Sequence, residues 1–425
     1  MTSSAPARTA VARDGRTGQP LDLSSWPAYL ASLDLAAADV TRTGGRMIAG
    51  PPRSVADLAL RFGMGGVFLD TPHTRLILTN LGIDPGLAPI VARRMRRLND
   101  WRAVWLDLAA PHLRDVERAL AAGADAEALR SIGVALALLG LAYGGDGYYV
   151  FTPYAEQRSA IVVRERLYAH MRALTGAHVE PLTIVHARGV TSGMLHLPPD
   201  RRGPVPVILG LHQLAGDKDD FDVALGRFRE AGFATCTIDL PAHGSQFDGP
   251  RLRAEDQQVA VAALNHLAGR PEIDRRRIVV LGGSLGALFA LRTAAASPRV
   301  AAAVAYASPF DVGSGIDLSV PGIQSNFRFV IGAPAGEPLG FWTHDFHLHT
   351  TIGRIGCPVL LMHGTRDHIC DFTATFEIAR RVRSAVTVWP LIGADHEAAS
   401  PGTPQLADPA IAWLRQALAL SSLSS

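Results

Sequence analysis

Apolar positions along the first 175 residues recur at helical spacing. Trp101, Val104, Trp105 and Leu108 fall three to four apart behind Asn99 and Asp100, which predicts a capped helix over 100–110. Pro111 is expected to restart a second helix through Leu113, Val116 and Leu120, ended by Gly123. Residues 125–142 and 155–175 repeat the pattern, and Gly176 stops the last helix. From 179 the period drops to two: VEPLTIVH and GVTSGMLHL alternate as a hairpin would. Short buried-type runs follow at 205–212, 234–240, 276–283, 300–308, 358–364 and 385–391, each separated by a helical stretch. That alternation predicts a mostly parallel, doubly wound sheet covered on both faces, an α/β architecture. The expected layout is a disordered leader over 1–24, a helical lid or substrate domain over 25–176, and an α/β catalytic domain over 177–425. Within the last, the Gly- and Pro-rich stretch 309–357 reads as a cap insertion.

Composition narrows the picture in a few places. A chain of 425 residues, 48% hydrophobic, can bury a large core. The net charge of +2 argues against an electrostatic nucleic-acid binder, and Lys218 is the sole lysine among many arginines. Cys236, Cys357 and Cys370 have no metal-ligand spacing and form no disulfide framework, so the expected compartment is the reducing cytoplasm. The polar opening residues lack the apolar stretch of a signal peptide, and the apolar run at 133–145 is too short to span a bilayer. No cofactor, metal, membrane or nucleic-acid partner is expected.

The candidate chemistry lies at the strand ends, where parallel sheets build their sites. The run IVVLGGSLGALFA places Ser284 between Gly282, Gly283 and Gly286 in a G-x-S-x-G pattern, a sharp strand-to-helix turn that exposes a serine hydroxyl. HGTRD places Asp367 just past the run 358–364, and IGADHE places His396 just past 385–391. Ser284, Asp367, His396 is the chain order of an α/β-hydrolase triad. Serine needs a neighbouring base, His396 supplies it, and Asp367 fixes the imidazole tautomer. The oxyanion of a tetrahedral intermediate would meet the N–H of Leu285 and that of Leu214, in the loop after 205–212. There His212-Gln213 stands in place of the usual His-Gly pair, and Gln213 is also a pocket candidate.

Asp371, Asp395 and Asp311 are rival acids, and His243 in DLPAHGSQ reads as a brace for a turn at the sheet edge. His344, His347 and His349 have the wrong spacing for one helical face or an alternating strand, so they read as lid or pocket residues and not as metal ligands. The aromatic run 143–154, with Tyr148 and Tyr149, is either interhelical core or a grip on a flat substrate.

With these motifs in place, the chain resembles the α/β-hydrolases. It resembles the branch holding dihydroxypseudooxynicotine hydrolase, the fungal polyketide-shortening hydrolases and FrsA-like proteins. The carrying motifs are LHQLAGDKDDF, LGGSLGALFALRTAA, HGTRD and GADHE. The resemblance is strong over 179–420 and rests on helical arrangement over 40–175. It implies a helical domain over the active site, a homodimer and a small-molecule substrate. Ile369-Cys370 stands where the branch has Val-Pro after the acid. The expected function is serine hydrolysis of an ester or a ketone-adjacent C–C bond, in a small aromatic or polyketide-like molecule, through an acyl-enzyme. The alternative is an acyl-eliminating lyase or acyltransferase that tailors a secondary metabolite with the same triad.

Overall fold

A computed structural model of the chain describes residues 11–41, 53–66, 70, 75, 78–79, 82–144, 157–199, 201–319, 321–396 and 404–421. They divide into two compact units. One takes Met1–Arg46, Val179–Asp317 and Pro338–Ser425, and the other takes Met47–His178 and Leu318–Glu337.

The first unit is built on a sheet of nine strands among the described residues: β1 (Ala12–Asp14), β2 (Val179–His186), β3 (Gly189–His196), β4 (Val205–Leu211), β5 (Ala234–Ile238), β6 (Ile273–Gly283), β7 (Val300–Tyr306), β8 (Val359–Gly364) and β9 (Val386–Leu391). Their spatial order is β1-β9-β8-β7-β6-β4-β5-β3-β2. The β2–β3 hairpin and the β3–β5 pair are antiparallel, and every other pair is parallel. The central strands are apolar on both faces because both are covered. On one side Ile208, Val279, Leu281, Val304 and Met362 pack with Phe221, Phe228, Leu406 and Leu414 from helices Lys218–Ala224, Gly226–Glu230 and Pro404–Ser421, and with Leu225 between the first two. On the other, helices Gln257–Ala268 and Leu285–Ala296 lie against the strands, the latter buried through its first ten residues. Each fully buried Leu, Ile or Val contributes about 1.5–3 kcal/mol. This is the α/β-hydrolase fold that the strand pattern and the resemblance predict.

The second unit holds helices Arg53–Arg61, Leu87–Arg94, Trp101–Ala121, Asp125–Gly144 and Arg158–Leu174, with Pro321–Ile331 from the late insertion. Its core joins Trp101, Val104, Trp105, Val116, Ile132, Leu138, Leu139, Leu167 and Tyr168. The expected break at Pro111 does not occur: Trp101–Ala121 is one helix with the proline inside. Pro111 removes one backbone hydrogen bond, at about 3 kcal/mol or more. The apolar stripe nonetheless continues in phase from Trp101 and Trp105 to Ala109 and Val116, so burial on both sides of the proline outweighs the lost bond. Residues 133–144 of the apolar run at 133–145 form the second half of helix Asp125–Gly144. Residues 125–143 are long and apolar enough, by length and composition, to cross a membrane. In the fold, Ile132, Ala135, Leu138, Leu139 and Ala142 of that helix form core, as the middle helix of a small bundle does.

Two boundary expectations are corrected. The stretch 1–24 is not a disordered leader throughout: Ala12–Asp14 pairs in parallel with Val386–Val388 at the sheet edge. Asp14 is buried there, held by Arg16, whose guanidinium also donates to Leu33 O at 2.6 Å. The helical domain does not begin at residue 25 either. Helix Trp26–Ser32 belongs to the sheet unit, because Trp26 and Tyr29 pack against Phe372 and Phe376, and the Tyr29 hydroxyl meets Thr375 Oγ1 at 2.8 Å. The 309–357 insertion is divided in turn, with 318–337 in the helical unit and its flanks in the sheet unit.

Candidate active site

Strand β6 ends at Gly283, and Ser284 turns the chain into the helix Leu285–Ala296 with φ 52° and ψ −118°. A non-glycine residue in that region carries strain of order 1–3 kcal/mol, held in place by its surroundings. The Ser284 N–H is tied to Tyr306 O of β7 at 2.8 Å, and the Ser284 carbonyl accepts from Ala287 and Leu288. The flanking glycines have a steric reason. A Cβ on Gly282 would lie 2.2 Å from Gly286 O, and one on Gly286 would lie 2.1 Å from Leu211 O and 2.5 Å from His212 O. The elbow therefore sits hard against the end of β4, which only glycine permits.

Asp367 follows β8 and is fully buried. Its Oδ1 accepts from the N–H groups of Ile369 and Cys370 at 2.9 and 2.8 Å. Its Oδ2 lies 2.8 Å from His396 Nδ1. The loops that carry acid and base are zipped together: Arg366 N–H donates to Ala394 O, Thr365 N–H to Leu391 O, and Gly393 N–H to Thr365 Oγ1. His396 Nε2 then stands 3.1 Å from Ser284 Oγ. A carboxylate only accepts, so the bond to Asp367 places the ring proton on Nδ1 and leaves Nε2 open to the serine proton. Burial alone would raise the Asp367 pKa. The imidazoles of His396 and His363, with the hydrogen bonds they donate, outweigh burial and hold the carboxyl well below its usual range.

The structure thus brings Ser284, His396 and Asp367 into one hydrogen-bonded chain. Two of the rival acids are engaged elsewhere. Asp311 Oδ2 meets His349 Nε2 at 3.0 Å, and Asp371 Oδ1 accepts from Thr373 N–H at the start of helix Thr373–Ala379. Asp395 is half-buried directly before His396. Leu285 is the first residue of the elbow helix, so its N–H lies outside the intrahelical ladder. Leu214 is buried in the loop after β4, whereas Gln213 is exposed, its side chain folded over Gly216. Tyr148 and Tyr149 lie outside the described residues. The His347 and His349 rings are 5.0 Å apart, and His344 is paired with Asp345 at the surface. Among the described residues no three His, Cys, Asp or Glu side chains gather as metal ligands. His243 is fully buried, its ring nitrogens 2.9 Å from Pro241 O and from Leu214 O, so it braces the loop after β4 as well as its own turn.

Sequence reasoning passed over two neighbours of these three residues. His363, in HGTRD, points Nε2 at Cys370 O (2.6 Å) and at Asp367 Oδ2 (3.2 Å); the carbonyl can only accept, so Nε2 carries the proton and the acid has a second imidazole donor. Its position four residues before the acid was the available signal. Cys370 is buried close to the acid, its N–H donating to Asp367 Oδ1, and burial pushes its thiol well above its ordinary pKa.

Comparison with known proteins agrees with this architecture. The family model for FrsA-like esterases matches residues 146–312, and that of the prolyl oligopeptidase family matches 250–418. The chain is 26% identical over 271 residues to 2,6-dihydropseudooxynicotine hydrolase of Paenarthrobacter nicotinovorans, a match covering 63% of this chain and 71% of that one. It is 31% identical over 122 residues to the esterase FrsA of Yersinia pestis, covering 28% and 29% of the two chains. The solved structure of 2,6-dihydroxy-pseudo-oxynicotine hydrolase superposes with a TM-score of 0.64 at 22% identity, covering 83% of this chain and 95% of that one. That of AbyA5 does so at 0.54 and 18%, covering 75% and 89%. Fold, strand-end chemistry and relatives converge: the chain is an enzyme with the α/β-hydrolase fold, similar to 2,6-dihydropseudooxynicotine hydrolase and the FrsA-like esterases.

Proposed function

We propose that the enzyme is a serine hydrolase that cleaves an ester or a ketone-adjacent C–C bond of a small aromatic or polyketide-like molecule. The observation that carries this reading is the relay from Ser284 Oγ to His396 Nε2 (3.1 Å) and from His396 Nδ1 to Asp367 Oδ2 (2.8 Å). Ser284 Oγ attacks the substrate carbonyl carbon as its proton passes to His396 Nε2. The tetrahedral oxyanion is met by the N–H groups of Leu285 and Leu214. The bond to the leaving group breaks, and His396 returns the proton to the departing oxygen of an ester or to the departing carbanion carbon of a ketone. Water then gives its proton to His396 and its oxygen to the acyl carbon, freeing Ser284 and a carboxylic acid. Asp367 stays ionised throughout and stabilises the imidazolium. The related hydrolase and esterase names support both bond classes.

Ser284→Ala tests the reading. It should abolish covalent labelling by a fluorophosphonate and lower turnover of an activated aryl ester by about 10⁴-fold or more. Labelling that persists in the variant would remove Ser284 from the mechanism. Reaction in heavy-oxygen water separates hydrolysis, which places solvent oxygen in the acid product, from acyl elimination or transfer.

A further inference from the structure

We propose that His212, the first residue after β4, is the positioning residue of the second oxyanion donor, acting through the peptide that joins Gln213 to Leu214. The inference rests on the serine-hydrolase reading above and asks what holds one of its parts still.

His212 is fully buried and both of its ring nitrogens are bonded. The backbone N–H of Leu240, which can only donate, points at Nε2 from 3.0 Å. Nε2 is therefore an acceptor, and the ring proton sits on Nδ1. From there it is donated to Gln213 O at 2.8 Å. The tautomer is thus set by a residue on the far side of β5. Burial also lowers the His212 pKa, in agreement with a neutral ring that has one donor and one acceptor.

The bonded carbonyl matters because of where it sits. Gln213 C=O and Leu214 N–H are the two ends of one planar trans peptide and point in opposite directions. Clamping the carbonyl aims the N–H. A second donor, Gly216 N–H at 3.1 Å, closes the same carbonyl into a turn. The next carbonyl, Leu214 O, lies 2.9 Å from His243 Nε2, and the two imidazoles pack 4.8 Å apart. Burial, with His212 beside it, pushes the His243 pKa down to about 3, so that ring is neutral and has a single proton to share between Leu214 O and Pro241 O. His243 is thus the second brace and His212 the fixed one. The loop so held lies against the elbow, since His212 O comes within 2.5 Å of where a Gly286 Cβ would stand.

His212 makes two separable bonds, and two substitutions each keep one. His212→Asn sets an amide N–H near the Nδ1 position, retaining the donor to Gln213 O and leaving the Leu240 amide unpaired. His212→Gln reaches the Nε2 position, retaining an acceptor for Leu240 and losing the donor to Gln213 O. With an activated aryl ester, His212→Gln should lose about 10²–10³-fold in kcat at nearly unchanged KM, the loss typical of removing an oxyanion donor. Its affinity for a trifluoromethyl ketone, which forms the tetrahedral adduct, should fall by the same factor. His212→Asn should recover most of that kcat while melting at a lower temperature than His212→Gln. A purely structural role predicts the reverse ranking, with kcat following Tm. Equal kcat in the two variants, or a kcat loss in His212→Gln without weaker binding of the ketone, overturns the proposal. Wild type and Ser284→Ala run alongside: if they hydrolyse the ester equally, the serine reading has failed, whatever the His212 variants do.

Discussion

Replacing Asp367 by Asn changes one atom's chemistry at the most connected point of the site. Oδ1 can stay as it is, since its partners are the N–H groups of Ile369 and Cys370. The new NH₂ takes the place of Oδ2 and faces two ring nitrogens, His396 Nδ1 at 2.8 Å and His363 Nε2 at 3.2 Å. His363 has an alternative acceptor in Cys370 O at 2.6 Å, so it keeps its proton and its place. The His396 Nδ1 proton is aimed at this carboxylate position, and a donor facing a donor is repulsive. The ring relieves this by moving its proton to Nε2, where it points at Ser284 Oγ and can no longer accept. A triad whose base is held in the wrong tautomer loses about 10⁴-fold in turnover, equivalent to about 5.5 kcal/mol of transition-state stabilisation.

The assay is initial rate on one activated ester, normalised by the concentration of folded protein, with thermal melts from neutral pH downward. Because the folded carboxyl lies below its unfolded value, its contribution to stability is complete above about pH 3.9 and is lost as pH falls through the folded value. The acid limb of the melting curve should therefore be shallower in Asp367→Asn than in wild type. Asp311→Asn is the control, since its carboxylate serves His349 and its loss should leave turnover within a factor of a few. If Asp367→Asn keeps more than a hundredth of wild-type turnover, or Asp311→Asn is the inactive variant, the acid is misassigned.

Two further outcomes follow from the sheet unit. Lys218, the sole lysine, is buried against Asp219 and Asp239 at 3.0 and 3.1 Å, so a brief pulse of an amine-acylating reagent should leave it unmodified in folded protein and modify it in denaturant; equal modification in both would refute the buried pair. Deleting residues 1–24 removes β1 and the buried Asp14–Arg16 pair and should lower Tm measurably, whereas an unchanged Tm would mean that this edge strand contributes nothing.

What was legible in the sequence was whatever short-range pattern encodes. The central strands were readable as buried runs, and Ser284, Asp367 and His396 were readable because each closes such a run. The unread parts depend on partners distant in the chain. β1 is only three residues long, set in polar sequence, and finds its place solely through Val386–Val388. The continuity through Pro111 comes from core on both sides of the proline, which no local rule contains. The division of the insertion at 318 and 337 assigns a stretch to a unit that otherwise ended at residue 178. The tautomer of His212 is decided by Leu240, and no reading of HQLAG alone could supply it.

The pairing of β1 with β9 also bears on how the chain reaches its native state. Ala12 lies opposite Val386, roughly 370 residues later, with the whole helical unit emerging between them. During synthesis the helical segments 87–174 can satisfy one another as they leave the ribosome, because their contacts are local. Strand β1 has no such option and must wait, exposed, until β9, the last of the nine strands, has been translated. β1, the earliest strand among the described residues, is thus among the last to settle, and its shortness and polar surroundings limit the risk of pairing with the wrong edge in the interval.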